Sequence, residues 1–153
     1  MDYGILKTLH ILSATVLFGT GLGTAYFMWQ ANRSGEIRVI AHTAARVVLA
    51  DWLFTLPTVI LQPLSGLWLL HLTDNPVTPW IVWSMALYAV AGTCWLPVVW
   101  LQIRMRNLAT RALADAYPLD QRYQRYANTW FWLGVPAFIA MIGVFFLMVL
   151  KPV

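Results

Sequence analysis

His10 and His71 stand inside long apolar runs of this 153-residue chain. Imidazole is the commonest metal ligand among side chains, and a polar group embedded in hydrocarbon is costly enough to mark a functional position. Two imidazoles on facing helices can grip one haem iron from opposite sides, with Nε2 atoms roughly 4 Å apart at about 2 Å per metal–nitrogen bond. That is the chemistry this pair suggests.

A flat macrocycle also needs space. On a 3.6-residue period His10 shares a helix face with Ala14, Leu17, Gly21 and Ala25. The stretch Ser13 to Ala25 adds Thr15, Gly19, Thr20, Gly23 and Thr24. Such a stripe can leave a porphyrin slot between helices of a bundle, or it can serve close helix–helix packing. Lys7, one turn before His10 on the same face, can snorkel outward or pair with an anionic group such as a haem propionate. The candidate site is therefore His10 and His71 as metal ligands, with Lys7, Ala14, Leu17 and Gly21 beside the cofactor.

The elements that must position these residues follow from composition. The chain is 60% hydrophobic and 10% charged, with a mean hydropathy of +0.66. An ordinary soluble domain carries about a quarter charged residues, so this is the composition of an integral membrane protein. Four runs qualify as spans, 3–29, 50–72, 79–102 and 128–150. At ~22 to 27 residues each they are long enough to cross a hydrocarbon core as helices. The predicted fold is a single all-α domain over 1–153, a four-helix transmembrane bundle. The first run is too long for a signal-peptide core and lacks a basic lead, so it reads as a retained span.

Charge gives the orientation. Arg33, Arg38 and Arg46 lie in the first connection, and Arg104, Arg106, Arg111, Arg122 and Arg125 in the third. The second carries only Asp74. Under the positive-inside rule the arginine-rich connections are cytoplasmic and both termini face outward, in a bacterial inner membrane if the host is Gram-negative. The lipid bilayer is then the partner of these arginines, and nucleic acid is not. Gly35 to Leu49 carries apolar residues at helical spacing and extends the second span inward. Arg104 to Ala116 prolongs the third. Trp29, Trp52, Trp80, Trp83, Trp130 and Trp132 fall near span boundaries, as in an aromatic belt. A unit with many small residues is also suited to homodimerise.

Other groups weigh less. With the termini outside, His10 and His71 lie at the same membrane face, within ~10 Å of each other in depth. His42 is on the opposite face and out of reach, because His10 to Trp29 already spans ~28 Å of helix. Asp51, at the inner end of the second span, reads as a hydrated boundary carboxylate or one paired with another helix; a proton-handling role is the less favoured reading. Pro57, Pro63 and Gly66 interrupt the second span and predict a kink that opens space below His71. Cys94 is the lone cysteine, which excludes an internal disulfide. No CxxC pair, Ser/His/Asp set, paired carboxylates or phosphate loop is present. Met28, Met85 and Met105 are too scattered to form a copper relay.

Short motifs carry a resemblance. Leu6-Lys7-Thr8-Leu9-His10-Ile11 resembles the first-helix signature of HemJ-type protoporphyrinogen oxidases. Gly66-Leu67-Trp68-Leu69-Leu70 resembles the end of their second helix, and Trp80 stands where their third begins. The whole chain, including Trp95-Leu96-Pro97-Val98-Val99-Trp100-Leu101-Gln102, resembles more closely an uncharacterised family of predicted four-helix bacterial membrane proteins. That family is grouped with the HemJ type and with the membrane domain of CopD-type copper-resistance proteins. The resemblance implies haem b bound through His10. It does not fix His71 as a ligand, and the lysine that HemJ-type proteins carry after the third-helix tryptophan is here Ser84.

Three functions remain open at this point. One is a haem-b membrane protein exchanging electrons with quinone or another membrane redox partner, or sensing haem or oxygen. Another is a HemJ-type oxidase. The third is a non-redox transport or accessory protein for copper or a small molecule.

Overall fold

Asp2 opens the first helix, α1 (Tyr3–Ser34), its carboxylate accepting from the Gly4 N–H at 3.4 Å. Gly35 closes it with a left-handed φ of 70°, a conformation glycine adopts without a Cβ penalty. The chain turns at once into α2 (Ile37–Ala50), whose Ile40, Ala41, Ala44, Val47 and Val48 are buried at helical spacing. The computed structural model describes residues 2–73 and 77–152, so Asp74 of the second connection lies outside the described residues.

From α2 the helix continues through a π turn, Asp51–Thr55, into α3 (Leu56–Leu72). Leu56 N–H donates to the Asp51 carbonyl rather than to the carbonyl one position later. Pro57 explains the widened turn, since it has no N–H and its ring crowds the carbonyl ahead of it. The expected interruption thus sits ahead of Pro57, and α3 remains helical through Pro63 and Gly66. Pro63 leaves the Val59 carbonyl without its helical donor, and the Tyr88 hydroxyl donates to that oxygen at 2.7 Å.

Pro79 sits in the first turn of α4 (Pro79–Ala114), where its missing N–H costs nothing. Asp120 caps α5 (Gln121–Leu150) by accepting from the Arg122 N–H at 2.8 Å. The helix through Ile37–Leu72 counts as one span, so four helices are long and apolar enough to cross a membrane. The fold is an all-α, multi-pass membrane bundle, and the helices overrun the predicted spans at the arginine-rich end.

In the bundle α5 lies along α4, α2 also packs on α4, and α1 packs on α2, the π turn and α3. Phe18 of α1 stacks on Phe138 of α5 with ring centroids 4.7 Å apart, and meets Phe145 edge-on at 5.3 Å. The continuous core occupies the arginine-rich end, around Met28, Ile40, Ala44, Met105, Ala109 and Tyr123. There the Tyr123 hydroxyl donates to Asn32 Oδ1 at 2.6 Å, joining α5 to α1. Trp130 belongs to this core, 6% exposed, and not to the aromatic belt. The belt expectation rested on a fourth span beginning at residue 128, whereas α5 begins at Gln121 and carries the packed interior past that level. Trp29, Trp52, Trp83 and Trp132 are exposed as a belt requires.

Candidate functional site

His10 meets α3. Its Nδ1 lies 2.8 Å from Ser65 Oγ, a contact spanning 55 residues of sequence. Ser65 has one hydroxyl hydrogen, and the Leu61 carbonyl takes it at 2.6 Å. In the tautomer compatible with that bond, Ser65 Oγ accepts from His10 Nδ1–H and Nε2 keeps a free lone pair. Metal-binding histidines are commonly held this way, with the second ring nitrogen donating to an oxygen that fixes tautomer and orientation. Gly66 makes the approach possible: a Cβ there would come within 3.3 Å of His10 Cε1.

Ser65 ends a buried polar seam. Asp51, Thr55, Thr58, Gln62 and Ser65 are all at most 9% exposed. Their alternating spacing of four and three residues aligns them on one face, over about 21 Å of helix. Thr55 donates to Asp51 Oδ1 at 2.8 Å. Thr58 bonds back to the Phe54 and Thr55 carbonyls. On α1, three residues after His10, Ser13 is also buried, and its Oγ has no partner in the protein.

Asp51 is not a hydrated boundary carboxylate. It is 6% exposed and borders a cavity of about 30 Å³ lined by Val48, Trp52, Leu56, Trp95, Val99 and Gln102. Continuation of the helix through the π turn draws this carboxyl inside, against α4. Asp51 Oδ2, Gln102 Oε1 and Trp95 Nε1 are buried without a protein hydrogen-bond partner.

The other expected site residues are dispersed. His71 is exposed and lies six residues beyond Ser65, about 9 Å further along the axis and rotated well off its face. The structure thus brings His10 to Ser65 and does not bring it to His71. Lys7 is exposed, its Nζ 5.7 Å from the Tyr3 ring centroid. Ala14 and Leu17 are buried in the bundle, whereas Gly21 is exposed with open space beside it. His42 is exposed on α2. Met28 and Met105 fill the core, while Met85 faces outward at 53% exposure, so the methionines form no relay. Among the described residues no three His, Cys, Asp or Glu side chains cluster as a metal cage. The donor set fits one axial imidazole from His10.

The sequence reading missed Ser65 and the seam. Their signal was the spacing of hydroxyl and amide residues along an apolar span, a pattern apparent once it is sought.

A family model described as "Predicted integral membrane protein (DUF2269)" matches residues 4–152. The chain belongs to the DUF2269 family. No curated protein and no solved structure matches it. For this DUF2269 protein the match covers every span, the His10–Ser65 contact and the Asp51 cavity, so each is part of the family region.

Proposed function

We propose that this DUF2269 protein binds haem b, with His10 Nε2 as an axial ligand, and exchanges electrons with quinone or another membrane redox partner. The observation that carries the reading is the 2.8 Å contact between His10 Nδ1 and Ser65 Oγ, which holds the ring by one nitrogen and supports Nε2 as the ligand. Bound haem would supply one-electron chemistry; His10 would hold and orient it, and Ser65 would hold His10. His71, exposed and rotated off the Ser65 face of α3, is the second ligand in this proposal only if α3 turns that ring toward His10. The arginine distribution supports an inner-membrane orientation with both termini outside.

A HemJ-type oxidation is less well supported. Ser84, at the place of the HemJ lysine, is 4% exposed and donates to the Trp80 carbonyl at 2.7 Å, so no cation stands there.

The test is the visible spectrum of protein purified from haem-replete cells. A Soret band that sharpens, with resolved α and β bands, on reduction is expected for wild type and is lost in His10→Ala. A low-spin spectrum that survives His71→Ala removes His71 from the ligand set. Absence of any Soret band in wild type rejects haem and leaves the transport or accessory reading.

A further inference from the structure

The other end of the seam raises a separate question, independent of haem. Asp51 is a carboxyl within a membrane-spanning helix, 6% exposed. One oxygen accepts from Thr55; the other makes no hydrogen bond within 3.5 Å, and the Gln102 amide is its polar neighbour. The sole ion pair among the described residues is Arg122–Asp120, so no cationic side chain lies within 4.0 Å of Asp51.

Charged and titratable groups on the neighbouring elements face elsewhere. On α2, His42 and Arg46 are exposed. On α4, Arg104 covers the Trp100 ring at 5.2 Å, Arg106 donates to Asn107 Oδ1, the Tyr88 hydroxyl donates to the Val59 carbonyl, and Cys94 is half-buried outside the cavity lining. On α1, Tyr26 is the only ionisable side chain between His10 and Arg33, and it is 52% exposed. On α3 none precedes His71. Asp51 is thus the only titratable residue lining its cavity. An ionised carboxylate in such a place has no cation within 4.0 Å and little contact with solvent, a costly state for a buried charge.

The cavity supplies what a neutral carboxylic acid needs. Its volume of about 30 Å³ has room for one or two waters, since one water occupies roughly 10–15 Å³ on this measure. A water there would accept from the Trp95 indole N–H and bridge Asp51 Oδ2 to Gln102 Oε1, which pairs all three unmatched polar atoms. The remaining lining, Val48, Trp52, Leu56 and Val99, is apolar or aromatic. Two protein oxygens and so little space are too few for a metal cation, which seeks about six oxygen ligands. The π turn that carries Asp51 adds weight, because such turns recur at functional positions in helices.

We propose that Asp51 is a membrane-embedded proton-binding site: its carboxyl is the neutral acid at neutral pH and exchanges its proton with water in the Asp51–Gln102 cavity. On release the Oδ2–H bond breaks, the proton passes to the water, and the carboxylate keeps the electron pair. Uptake is the reverse, with hydronium as the donor. Thr55 holds the first oxygen throughout, Gln102 positions the water, and Trp95 anchors it.

Infrared spectroscopy of the full chain in lipid bilayers across a pH series tests this. Of the five other acidic residues, Asp2, Glu36 and Asp115 are exposed, Asp120 is ion-paired, and Asp74 lies outside the described residues, so Asp51→Asn is what assigns the band. Wild type should therefore show a protonated-carboxyl C=O band at neutral pH, and Asp51→Asn should lose it. Gln102→Leu should keep the band and move it to higher frequency, because the water bonded to the carboxyl loses the amide that positions it; this variant serves equally if Asp51→Asn does not fold. A wild-type spectrum without the band at neutral pH overturns the proposal. So does a band that persists in Asp51→Asn or is unmoved in Gln102→Leu. Sodium-dependent thermal stabilisation that vanishes in Asp51→Asn would also overturn it, by making the site a metal-cation site.

Discussion

The two ends of the buried seam differ in how their polar atoms are satisfied. At the His10 end, the Ser65 hydroxyl joins the imidazole at 2.8 Å to the Leu61 carbonyl at 2.6 Å, while the nearby Ser13 Oγ and Gln62 Oε1 have no protein partner. At the Asp51 end, a carboxyl oxygen, an amide oxygen and an indole N–H surround a small cavity and touch no protein partner. Packing differs in parallel. The Asp51 end adjoins the continuous core around Met28 and Met105, whereas the His10 end lies among exposed Leu9, Ile11 and Leu12 that face the lipid. One helix thus carries, at one end, the hydroxyl that meets His10 of α1 and, at the other, a buried carboxyl with one unpartnered oxygen.

The largest stability effect that separates the ends should come from Met105→Ala. Met105 is 1% exposed in the core, and truncating such a side chain costs about 2–5 kcal/mol through lost burial and the cavity left behind. Thermal unfolding in detergent should report this loss, while the ratio of Soret to protein absorbance in the surviving folded fraction stays unchanged. A haem loss as large as that of His10→Ala would mean that the two ends are one site.

Ser65→Ala acts at the opposite end and should be smaller. Removing an outer-shell partner of a ligating histidine weakens metal binding by roughly 10- to 100-fold. A haem titration should show that weakening, with Ser65→Thr restoring most of the affinity; equal affinity in Ser65→Ala would make Ser65 a mere packing residue.

The smallest effect lies outside the bundle. Hydrogen bonds from the Arg122 side chain and backbone hold the Asp120 carboxyl below the usual carboxylate range. The carboxylate therefore supports the start of α5 above that range, and the support is lost as pH falls through the lowered value. The protection factors of the first-turn amides of α5, corrected for the intrinsic pH dependence of exchange, should fall in acid for wild type and not change with pH there in Asp120→Asn.

Much of this was legible in the sequence. Four spans and both helical extensions follow from apolar runs and amphipathic spacing, because bilayer thickness imposes a length on each run. His10 was recognisable because imidazole is costly inside an apolar run. Its partner was not, since Ser65 is 55 residues away and only tertiary packing decides which hydroxyl it meets. His71 misled for a related reason: depth can be counted along a helix, but facing depends on rotation about its axis. The seam escaped because apolar periodicity loses force where lipid solvates every outward face, leaving polar spacing as the informative pattern. Asp51 looked like a boundary residue because a π turn that keeps two helices continuous has no sequence signal beyond the proline that follows it.

The central claim is that Ser65 fixes His10 as the Nδ1–H tautomer with a bare Nε2. Nitrogen-15 magnetic resonance of histidine-labelled, cofactor-free protein in bilayers reads this directly, with the His10 signals assigned by their loss in His10→Ala. The account predicts a protonated Nδ1 and an unprotonated Nε2 at neutral pH in wild type, with that preference lost in Ser65→Ala. A proton found on Nε2, or a tautomer indifferent to Ser65, would contradict it.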